Sequence, residues 1–271
     1  MTFDPEAVRE FERTGWNKAA LSYDSTFAHA SRQFVPALLD AAGVEAGMRV
    51  LDVCAGTGVV TGAAAARGAE ATGLDFSAGM LMVARQRHPG LAFDQGDAEA
   101  MPYGDSAFDA VVSNFGIHHV PRPIMALREA FRVLRPGCRL AFTIWAEPAE
   151  NIAWKLLFDA VGRCGNPAAS DAPAPGGGFG SPAHCTAALA EAGFADIGTE
   201  ALRGTWHHAD GRSLVAALQG GTARMAALIA SQTEAAMPAI IAAIDANAAQ
   251  YRDESGIAVP IAAVVAFGRK G

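Results

Sequence analysis

The sequence has few cysteines and few charges for its length. Its 271 residues include four cysteines, Cys54, Cys138, Cys164 and Cys185, and no two of them form a CxxC pair. This spacing argues against a zinc site or a disulfide framework and fits a reducing cytoplasm. Charged residues make up 18% of the chain and hydrophobic residues 51%, so the chain has enough apolar side chains for a large core.

Clusters of basic residues and long apolar runs are also absent. The 21 Lys and Arg residues are scattered, and 28 Asp and Glu residues give a formal net charge of −7. Binding to nucleic acid without sequence preference requires clustered Lys and Arg, so we expect no nucleic-acid partner. No apolar run is long enough to cross a membrane, and the N-terminus lacks the apolar stretch of a signal peptide. We therefore expect a cytoplasmic protein, monomeric or homodimeric, without a membrane partner.

Between residues 50 and 145, short apolar runs alternate with helical patterns. Predicted strands cover residues 49–53, 70–75, 91–96, 108–114 and 139–145. Helices are predicted from Val59, after the capping residue Ser77, and over residues 123–135. This alternation is typical of βαβ units, which build a parallel sheet.

The rest of the chain is predicted to be more helical. We divide it into a helical leader (1–32), a ligand-binding core (33–145), a helical cap insertion with a Gly/Pro-rich loop (146–190), and the remainder of the sheet (191–271). This last part contains a helical insertion at 211–250, and a final strand is predicted from residue 257. The glycines at 176–178 suggest either the hinge of a lid or an ordinary disordered loop.

The stretch LDVCAGTG, residues 51–58, combines a strand end with a glycine turn. In an open parallel sheet, ligands bind beyond the carboxyl ends of the strands, where Asp52 stands. Gly56 and Gly58 would let the backbone approach a ligand closely. Counting from Gly56, the third position of a GxGxxG dinucleotide motif holds Thr61, so that motif is incomplete. The loop alone leaves open an ordinary tight turn, a nicotinamide cofactor and a ligand without phosphate.

Acidic residues downstream narrow the choice of ligand. Asp75 ends the second predicted strand, where a carboxylate can accept hydrogen bonds from both hydroxyls of a ribose. Asp97 follows the third strand and would accept a hydrogen bond from the amino group of an adenine, while the Ala98 amide would donate one to the ring. Phe76 and Met101 would then cover the two faces of the purine.

Four motifs in order resemble the class I S-adenosylmethionine-dependent methyltransferases. They are LDVCAGTG, GLDFSAGML, GDAEAMPYGDSAFDAVVSNFGIHHV and EAFRVLRPGCRLAFTIW. More narrowly, the chain is similar to the small-molecule methyltransferases of the ubiquinone-biosynthesis type (methyltransferase type 11). The resemblance covers roughly residues 33–145, with a later helix–strand unit at FGSPAHCTAALAEAGFADI, and departs from the family at Cys54, where glycine is frequent. It implies a Rossmann-like α/β fold whose mostly parallel, seven-stranded sheet is flanked by helices, with helical cap insertions.

The resemblance also implies S-adenosylmethionine as the cofactor and assigns residues to it. The loop backbone would approach the methionine part, Asn114 would add its backbone carbonyl there, and Tyr23 of the leader would close over the carboxylate. Packing is the alternative role for Tyr23. The full predicted cofactor set is Tyr23, Asp52, Ala55, Gly56, Gly58, Asp75, Phe76, Met80, Asp97, Ala98, Met101 and Asn114. No metal is expected.

His118 and His119 follow the fourth predicted strand, close to the expected position of the reacting methyl group. Methyl transfer depends chiefly on holding the reacting atoms collinear, and a base matters only if the acceptor arrives protonated. An imidazole suits proton removal near neutral pH, so His119, and after it His118, is the candidate base. The alternative is that the pair packs against the cap and orients the loop.

The predicted activity is methyl transfer from S-adenosylmethionine to an oxygen, nitrogen or carbon atom of a small apolar or aromatic metabolite. Its pocket would be lined by Trp16, Phe27, Trp154, Phe158 and Phe179. One alternative is an NAD(P)-dependent oxidoreductase, disfavoured by the incomplete glycine motif and by the lack of a Tyr-x-x-x-Lys pair. Another is a non-catalytic S-adenosylmethionine-binding protein, because methyl transfer needs few dedicated groups.

Overall fold

Alternating strands and helices make up the computed structural model, which describes residues 3–173, 179 and 181–271. The strands are β1 Arg49–Val53, β2 Glu70–Asp75, β3 Ala92–Gln95, β4 Phe108–Asn114, β5 Leu134–Trp145, β6 Ala195–His208, β7 Arg252–Asp253 and β8 Gly256–Arg269. The α-helices are α1 Pro5–Tyr23, α2 Ala28–Ser31, α3 Val35–Ala41, α4 Val59–Ala66, α5 Ala78–Arg87, α6 Pro123–Val133, α7 Ile152–Cys164, α8 Pro182–Glu191, α9 Gly211–Gly221, α10 Ala223–Ala230 and α11 Met237–Ala248. Short 3₁₀ turns lie at Arg32–Phe34, Ile117–His119, Pro167–Ala169 and Ala249–Tyr251.

The strands form one sheet in the order β3-β2-β1-β4-β5-β8-β6, and the two-residue β7 pairs with β8 beside this path. Strands β1 to β5 pair in parallel, whereas β8 runs antiparallel to β5 and β6. The predicted Rossmann-like α/β fold with a mostly parallel sheet is confirmed, with β7 as a small addition. The strand order reverses between β1 and β4, so a ligand crevice is expected at their carboxyl ends.

Helices cover both faces of the sheet. On one face α3 and α4 bury Leu38, Leu39 and Val60 against the strands. On the other face α6 and α8 bury Leu127 and Leu189. Since the strands are apolar on both sides, they are held rigidly, and the loops at their carboxyl ends are held with them.

Helix α8 lies within the segment FGSPAHCTAALAEAGFADI, which resembles the later helix–strand unit of the family. The side chain of Ser181 caps it by accepting from the His184 amide, and Pro182 occupies its first turn. Both are ordinary start signals for a helix.

Helices α7, α9, α10 and α11, here called the cap helices, share one apolar cluster with the outer ends of β6 and β8. Within the predicted insertion 211–250, α9, α10 and α11 are separate helices, because Thr222 caps α10 and Pro238 lies in the first turn of α11. The predicted cap segment 146–190 divides in two, since α7 joins this cluster and α8 joins the sheet. The proposed hinge at 176–178 lies outside the described residues.

The leader helix α1 connects the core to the cap helices. Asp4 caps its start by accepting from the amides of Glu6 and Ala7. Asn17 Oδ1 accepts from the Gly79 amide at 2.9 Å and so satisfies a free N–H in the first turn of α5. On another side α1 crosses α10 so closely that a Cβ added to Gly15 would stand 2.3 Å from Ala223 Cβ. The leader helix is therefore fixed between a core helix and a cap helix.

Candidate active site

The glycine loop after β1 has an unusual backbone. Cys54, Gly56 and Gly58 have φ angles of 58°, 54° and 80°, in the left-handed region that favours glycine. Cys54 adopts this conformation in spite of its Cβ, so the loop stores some strain at this point. A Cβ added to Gly56 would meet no atom within 4 Å, so the backbone of Gly56 faces open space.

That open space belongs to a cleft at the carboxyl ends of the strands, with about 720 Å³ of space that includes the solvent at its opening. The cleft brings together most of the predicted site residues, which come from the glycine loop, from helices α1 and α5, and from the ends of β2, β3 and β4 with the turns that follow them. Those on its wall are Tyr23, Gly56, Asp75, Phe76, Met80, Asp97, Ala98, Asn114 and His119. Further wall residues that sequence reasoning did not assign to the cofactor include Arg9, Trp16, Cys54 and Phe115.

Asp75 is buried at the end of β2 and holds the loop. Its Oδ2 accepts from the Gly56 amide at 2.8 Å, and its Oδ1 accepts from the Ser77 amide at 2.8 Å. Burial raises the pKa of Asp75 to about 6, against the opposing effect of these hydrogen bonds. The same carboxylate thus fixes the glycine loop and forms part of the cleft wall.

Asp97 is paired with a cation of the leader helix. Arg9 Nε lies 3.1 Å from Asp97 Oδ2, and Arg9 Nη2 donates to Glu99 Oε2 at 3.0 Å. The second oxygen of Asp97 accepts from the Glu99 amide at 2.8 Å. If Asp97 contacts an adenine amine as predicted, its carboxylate is shared between that amine and Arg9. No sequence spacing connects Arg9 to the third strand, so sequence reasoning missed it.

Five predicted site residues lie off the wall of the cleft: Asp52, Ala55, Gly58, Met101 and His118. Asp52 Oδ2 instead accepts from the Thr61 amide at 2.9 Å and from Thr61 Oγ1 at 2.7 Å. Asp52 therefore holds the first turn of α4, and burial raises its pKa to about 7. Met101 packs in the core beside Ala98, so of the predicted purine sandwich only Phe76 stands on the wall.

Tyr23 and Asn114 belong to a chain of hydrogen bonds at the other end of the cleft. The Tyr23 hydroxyl lies 3.1 Å from Ser31 Oγ, and Asn114 Nδ2 donates to the Ser31 carbonyl at 3.2 Å. Thr143 Oγ1 donates to Asn114 Oδ1 at 2.7 Å. Burial raises the pKa of Tyr23 to about 12, so the phenol is neutral at physiological pH. This chain ties the leader to β4 and β5.

His119 lies in the 3₁₀ turn after β4 and contacts a buried carboxylate of the leader helix. Its Nδ1 is 3.2 Å from Glu12 Oε2, and the Glu12 side chain is 0% exposed. Trp16 Nε1 donates to the same oxygen at 3.1 Å, and Arg224 Nε lies 2.8 Å from Glu12 Oε1. Burial opposes ionisation of Glu12, but the charges of His119 and Arg224 outweigh it and hold the Glu12 pKa below its usual value.

The neighbouring His118 has a different environment. Burial, reinforced by the charges of His119 and Arg224, lowers the pKa of His118 well below its usual value. Its Nδ1 is buried and has no hydrogen-bond partner among the described residues. Of the histidine pair, only His119 reaches the cleft.

Most of the aromatic side chains predicted to line an acceptor pocket lie away from the cleft, and some of them pack against one another. Of the five residues named for it, only Trp16 lines the cleft. Phe27 and Trp154 pack edge to face in the cluster of the cap helices, with 5.7 Å between ring centroids. Phe115, which the sequence argument passed over, forms the wall instead and stacks on Trp145 at 3.8 Å.

Comparison with known proteins agrees with this geometry. A family model described as a methyltransferase domain matches residues 51–142. The ubiquinone/menaquinone biosynthesis C-methyltransferase of Roseobacter denitrificans is 37% identical over 192 residues, which cover 62% of this chain and 76% of that protein. This chain belongs to the S-adenosylmethionine-dependent methyltransferases of the ubiquinone/menaquinone biosynthesis type.

Two further proteins resemble this chain, one in sequence and one in fold. The demethylmenaquinone methyltransferase of Renibacterium salmoninarum is 42% identical over 118 residues, covering 44% of this chain and 50% of that protein. The chain thus spans about half the length of the demethylmenaquinone methyltransferases it matches. A phosphoethanolamine N-methyltransferase of Haemonchus contortus, solved with S-adenosylhomocysteine, shares the fold with a TM-score of 0.54 at 18% identity, over 88% of this chain and 53% of that one.

The cofactor of the family is S-adenosylmethionine, and the cleft of this methyltransferase fits it. The bare backbone of Gly56 leaves room for a close approach, and the buried Asp75 carboxylate stands at the end of β2, where a ribose is held in sheets of this type. Leu74, Phe76 and Ala98 supply an apolar wall for a purine ring. Arg9 is the sole Lys or Arg on the described wall, and it is paired with carboxylates, so the cleft offers little to a pyrophosphate.

Residues 3–173, 179 and 181–271 contain neither a metal site nor a helix that could span a membrane. Within these ranges no group of three or more His, Cys, Asp and Glu side chains is placed to hold a metal ion. Over the same ranges, no helix combines the length and the apolar character that crossing a bilayer demands.

Proposed function

We propose that this methyltransferase transfers a methyl group from S-adenosylmethionine to a small aromatic acceptor of the quinol class. Relatives of this chain are named for demethylmenaquinone and for ubiquinone/menaquinone biosynthesis. The observation that carries the proposal is one cleft with the Asp75-held loop on its wall together with His119 and the aromatic faces of Trp16 and Phe115. The apolar ring of a quinol suits the aromatic faces of Trp16 and Phe115, and its hydroxyl protons suit a base at His119.

Each part of the cleft has a separate task. Asp75 binds the ribose hydroxyls and holds the loop, while Tyr23 and Asn114 close the methionine end. S-Adenosylmethionine, when bound, supplies an electrophilic methyl group on a positively charged sulfur. Trp16 and Phe115 exclude water and keep the acceptor ring in one orientation, which accounts for much of the acceleration in a displacement of this type.

His119 acts as the general base. Its Nδ1 is next to Glu12, so its Nε2 is the nitrogen available to take the proton of an acceptor hydroxyl. Removal of that proton raises the electron density on the oxygen and on the ring carbons conjugated with it. The acceptor atom then attacks more readily, and a ring carbon next to the hydroxyl becomes a nucleophile as well as the oxygen.

Methyl transfer to a reduced demethylmenaquinone with a short side chain tests this function. The protein is incubated under anaerobic conditions with S-adenosylmethionine that carries a trideuterated methyl group, and the product is analysed by mass spectrometry. The expected product is heavier by one trideuterated methyl group. Absence of this product, together with intact binding of S-adenosylhomocysteine, would reject the quinol class as acceptor.

The same assay tests the base. His119→Asn should lower kcat by about 100-fold or more, because a positioned base contributes about 10²- to 10⁴-fold. Its affinity for S-adenosylhomocysteine should stay within about threefold of wild type, because the asparagine keeps the shape of the wall. Full activity of this variant across the pH range would remove His119 from the mechanism.

Other expectations remain part of the proposal. The protein is taken to be cytoplasmic and monomeric or homodimeric, with no nucleic-acid or membrane partner. Its acidic balance, 28 Asp and Glu residues against 21 Lys and Arg, supports the last two points.

A further inference from the structure

A carboxylate with no exposed surface stands behind the proposed base. Glu12 belongs to the leader helix, yet its side chain points away from solvent and contacts groups from two other parts of the fold. His119 comes from the turn after β4, and Arg224 comes from the cap helix α10. Three parts of the fold therefore meet at the Glu12 carboxylate.

We propose that Glu12 is a positioning residue that holds His119 through Nδ1 and so presents Nε2 to the acceptor. This inference rests on the proposed function insofar as His119 is the base of that reaction. Glu12 Oε2 lies 3.2 Å from His119 Nδ1, but the two groups are not aligned as a hydrogen bond, and Nδ1 has no other hydrogen-bond partner among the described residues. Glu12 is thus the described acceptor placed to keep a proton on Nδ1, and a neutral ring with its proton there has its lone pair on Nε2.

The surroundings of Glu12 fix it in place. Trp16 Nε1 donates to Oε2, the oxygen that contacts His119, while Arg224 binds the other oxygen. Arg224 is itself held, because its Nη1 donates to the Pro173 carbonyl at 2.8 Å and its guanidinium lies 5.5 Å from the centre of the Phe11 ring. A buried charge is costly unless it is paired and hydrogen-bonded. Trp16 supplies the hydrogen bond to Oε2, whereas Oε1 is paired with Arg224 by charge, without the alignment of a hydrogen bond.

The proton balance of the step follows from this arrangement. The acceptor O–H bond breaks and an Nε2–H bond forms on His119, which becomes an imidazolium. Its positive charge then lies against the Glu12 carboxylate, which stabilises the product of the proton transfer. The proton returns to solvent from Nε2 after the methylated product leaves. The titratable and charged groups around His119 are Glu12, His118 and Arg224.

An experiment on Glu12→Gln separates a positioning role from a structural one. Nitrogen-15 NMR of protein labelled at histidine reports the tautomer of His119, whose signals are assigned by their loss in His119→Asn. In Glu12→Gln the signals should move from the Nδ1–H tautomer towards a mixture, because the amide can present either an acceptor or a donor. The activity should fall by about 10- to 100-fold in kcat, with KM within about threefold of wild type.

The pH profile gives a second readout that plain packing would not change. The acid limb of kcat against pH should move to lower pH in Glu12→Gln, because a neutral amide no longer stabilises the imidazolium. Glu12→Asp keeps the charge and should recover part of the activity and the wild-type position of the limb. Glu10→Gln is the matched control, because Glu10 lies on the same helix but is exposed and pairs with Arg13.

A folding defect and a failure of the proposed function can each be told apart from a failure of this inference. If Glu12→Gln does not fold because Arg224 is left unpaired, the double variant Glu12→Gln with Arg224→Gln removes both charges and takes the same tests. An unchanged tautomer and an unchanged kcat in a folded variant would overturn the inference. If wild type methylates no quinol, the proposed function fails, whereas the tautomer measurement still decides whether Glu12 controls His119.

Discussion

Individual buried carboxylates determine how the cleft behaves. Asp75 holds the amides of Gly56 and Ser77 and also forms part of the cleft wall. Asp52, on the adjacent strand, is turned into the core and holds α4. Asp75 is the last residue of β2, whereas Asp52 is the penultimate residue of β1 and pairs with Gly73. The Asp75 side chain reaches the wall of the cleft, and the Asp52 side chain holds the fold.

Asp75→Asn should weaken the binding of S-adenosylhomocysteine by about 1–3 kcal/mol, the range for a lost hydrogen bond to a charged group. In wild type the affinity should also fall as the pH drops through about 6, the pKa of Asp75, because a protonated carboxyl accepts less well. The variant should lose this pH dependence. Calorimetric titrations at several pH values measure both effects.

Glu70→Gln is the matched control for Asp75→Asn. Glu70 lies at the other end of the same strand and is exposed. Its substitution should leave both the affinity and its pH dependence unchanged. Equal affinities for wild type and Asp75→Asn would remove Asp75 from the ribose site.

Asp52 gives a prediction about stability. Its pKa is about 7 in the folded chain, above the ordinary value of 3.8, so the folded state holds this proton more tightly than the unfolded state. This contribution to the free energy of unfolding is present at low pH and is lost as the pH rises through about 7, with a slope of up to about 1.4 kcal/mol per pH unit.

Asp52→Asn removes that slope and keeps an acceptor for Thr61. Urea unfolding at pH 5, 6, 7 and 8 should therefore show the variant gaining stability relative to wild type as the pH rises. Parallel stability curves for the two proteins would show that Asp52 is already ionised in the folded state at the lowest of these pH values.

The sequence predicts which residues reach the cleft wall best where a side chain lies at or shortly after a strand end. Asp75, Asp97, Asn114 and His119 all lie at or just after such ends, and parallel strands bring those ends to one edge. Asp52 obeys the same rule but points inwards, a difference that depends on side-chain direction rather than on position. Glu12 could not be found in this way, because only tertiary packing brings the leader helix to the cleft.

The leader helix α1 supplies one row of residues to the cleft wall. Arg9, Trp16 and Tyr23 are seven residues apart, which places them along one face of α1, and all three line the cleft. The other contacts of α1 fix this face, through Asn17 on α5 and Gly15 on α10. A small displacement of the helix would therefore move all three of these wall residues.

Gly15→Ala should displace α1 from α10, because the new Cβ would lie 2.3 Å from Ala223 Cβ. We expect a loss of about 1–3 kcal/mol in the free energy of unfolding, the usual cost of overpacking, together with a lower kcat. Adding Ala223→Gly should restore part of both, since it removes the closest contact. Chemical unfolding and the methyl-transfer assay measure the two effects.

The control for this change is another glycine-to-alanine substitution in a helix. A Cβ added to Gly162 of α7 would meet no atom within 4 Å, so Gly162→Ala should be neutral or stabilising by up to about 1 kcal/mol. If Gly15→Ala behaves in the same way, the close crossing of α1 and α10 does not matter for stability or for the site.

Over the whole molecule, the parallel and antiparallel parts of the sheet have different neighbours. The carboxyl ends of β1 to β4 form the cleft, whereas the outer parts of β6 and β8 pack with the cap helices. The family resemblance predicted the first part closely, because its motifs lie in that half. The breaks within residues 211–250 were not predicted, because an alanine-rich sequence gives little contrast between helix and turn.

The cleft should bind the adenosylmethionine cofactor rather than a nicotinamide nucleotide. Isothermal titration calorimetry with S-adenosylhomocysteine and with NADH tests this choice on the wild-type chain. We predict a saturable one-to-one isotherm with S-adenosylhomocysteine and no heat of binding with NADH. Saturable binding of NADH, with none for S-adenosylhomocysteine, would show instead that the cleft is a nicotinamide site.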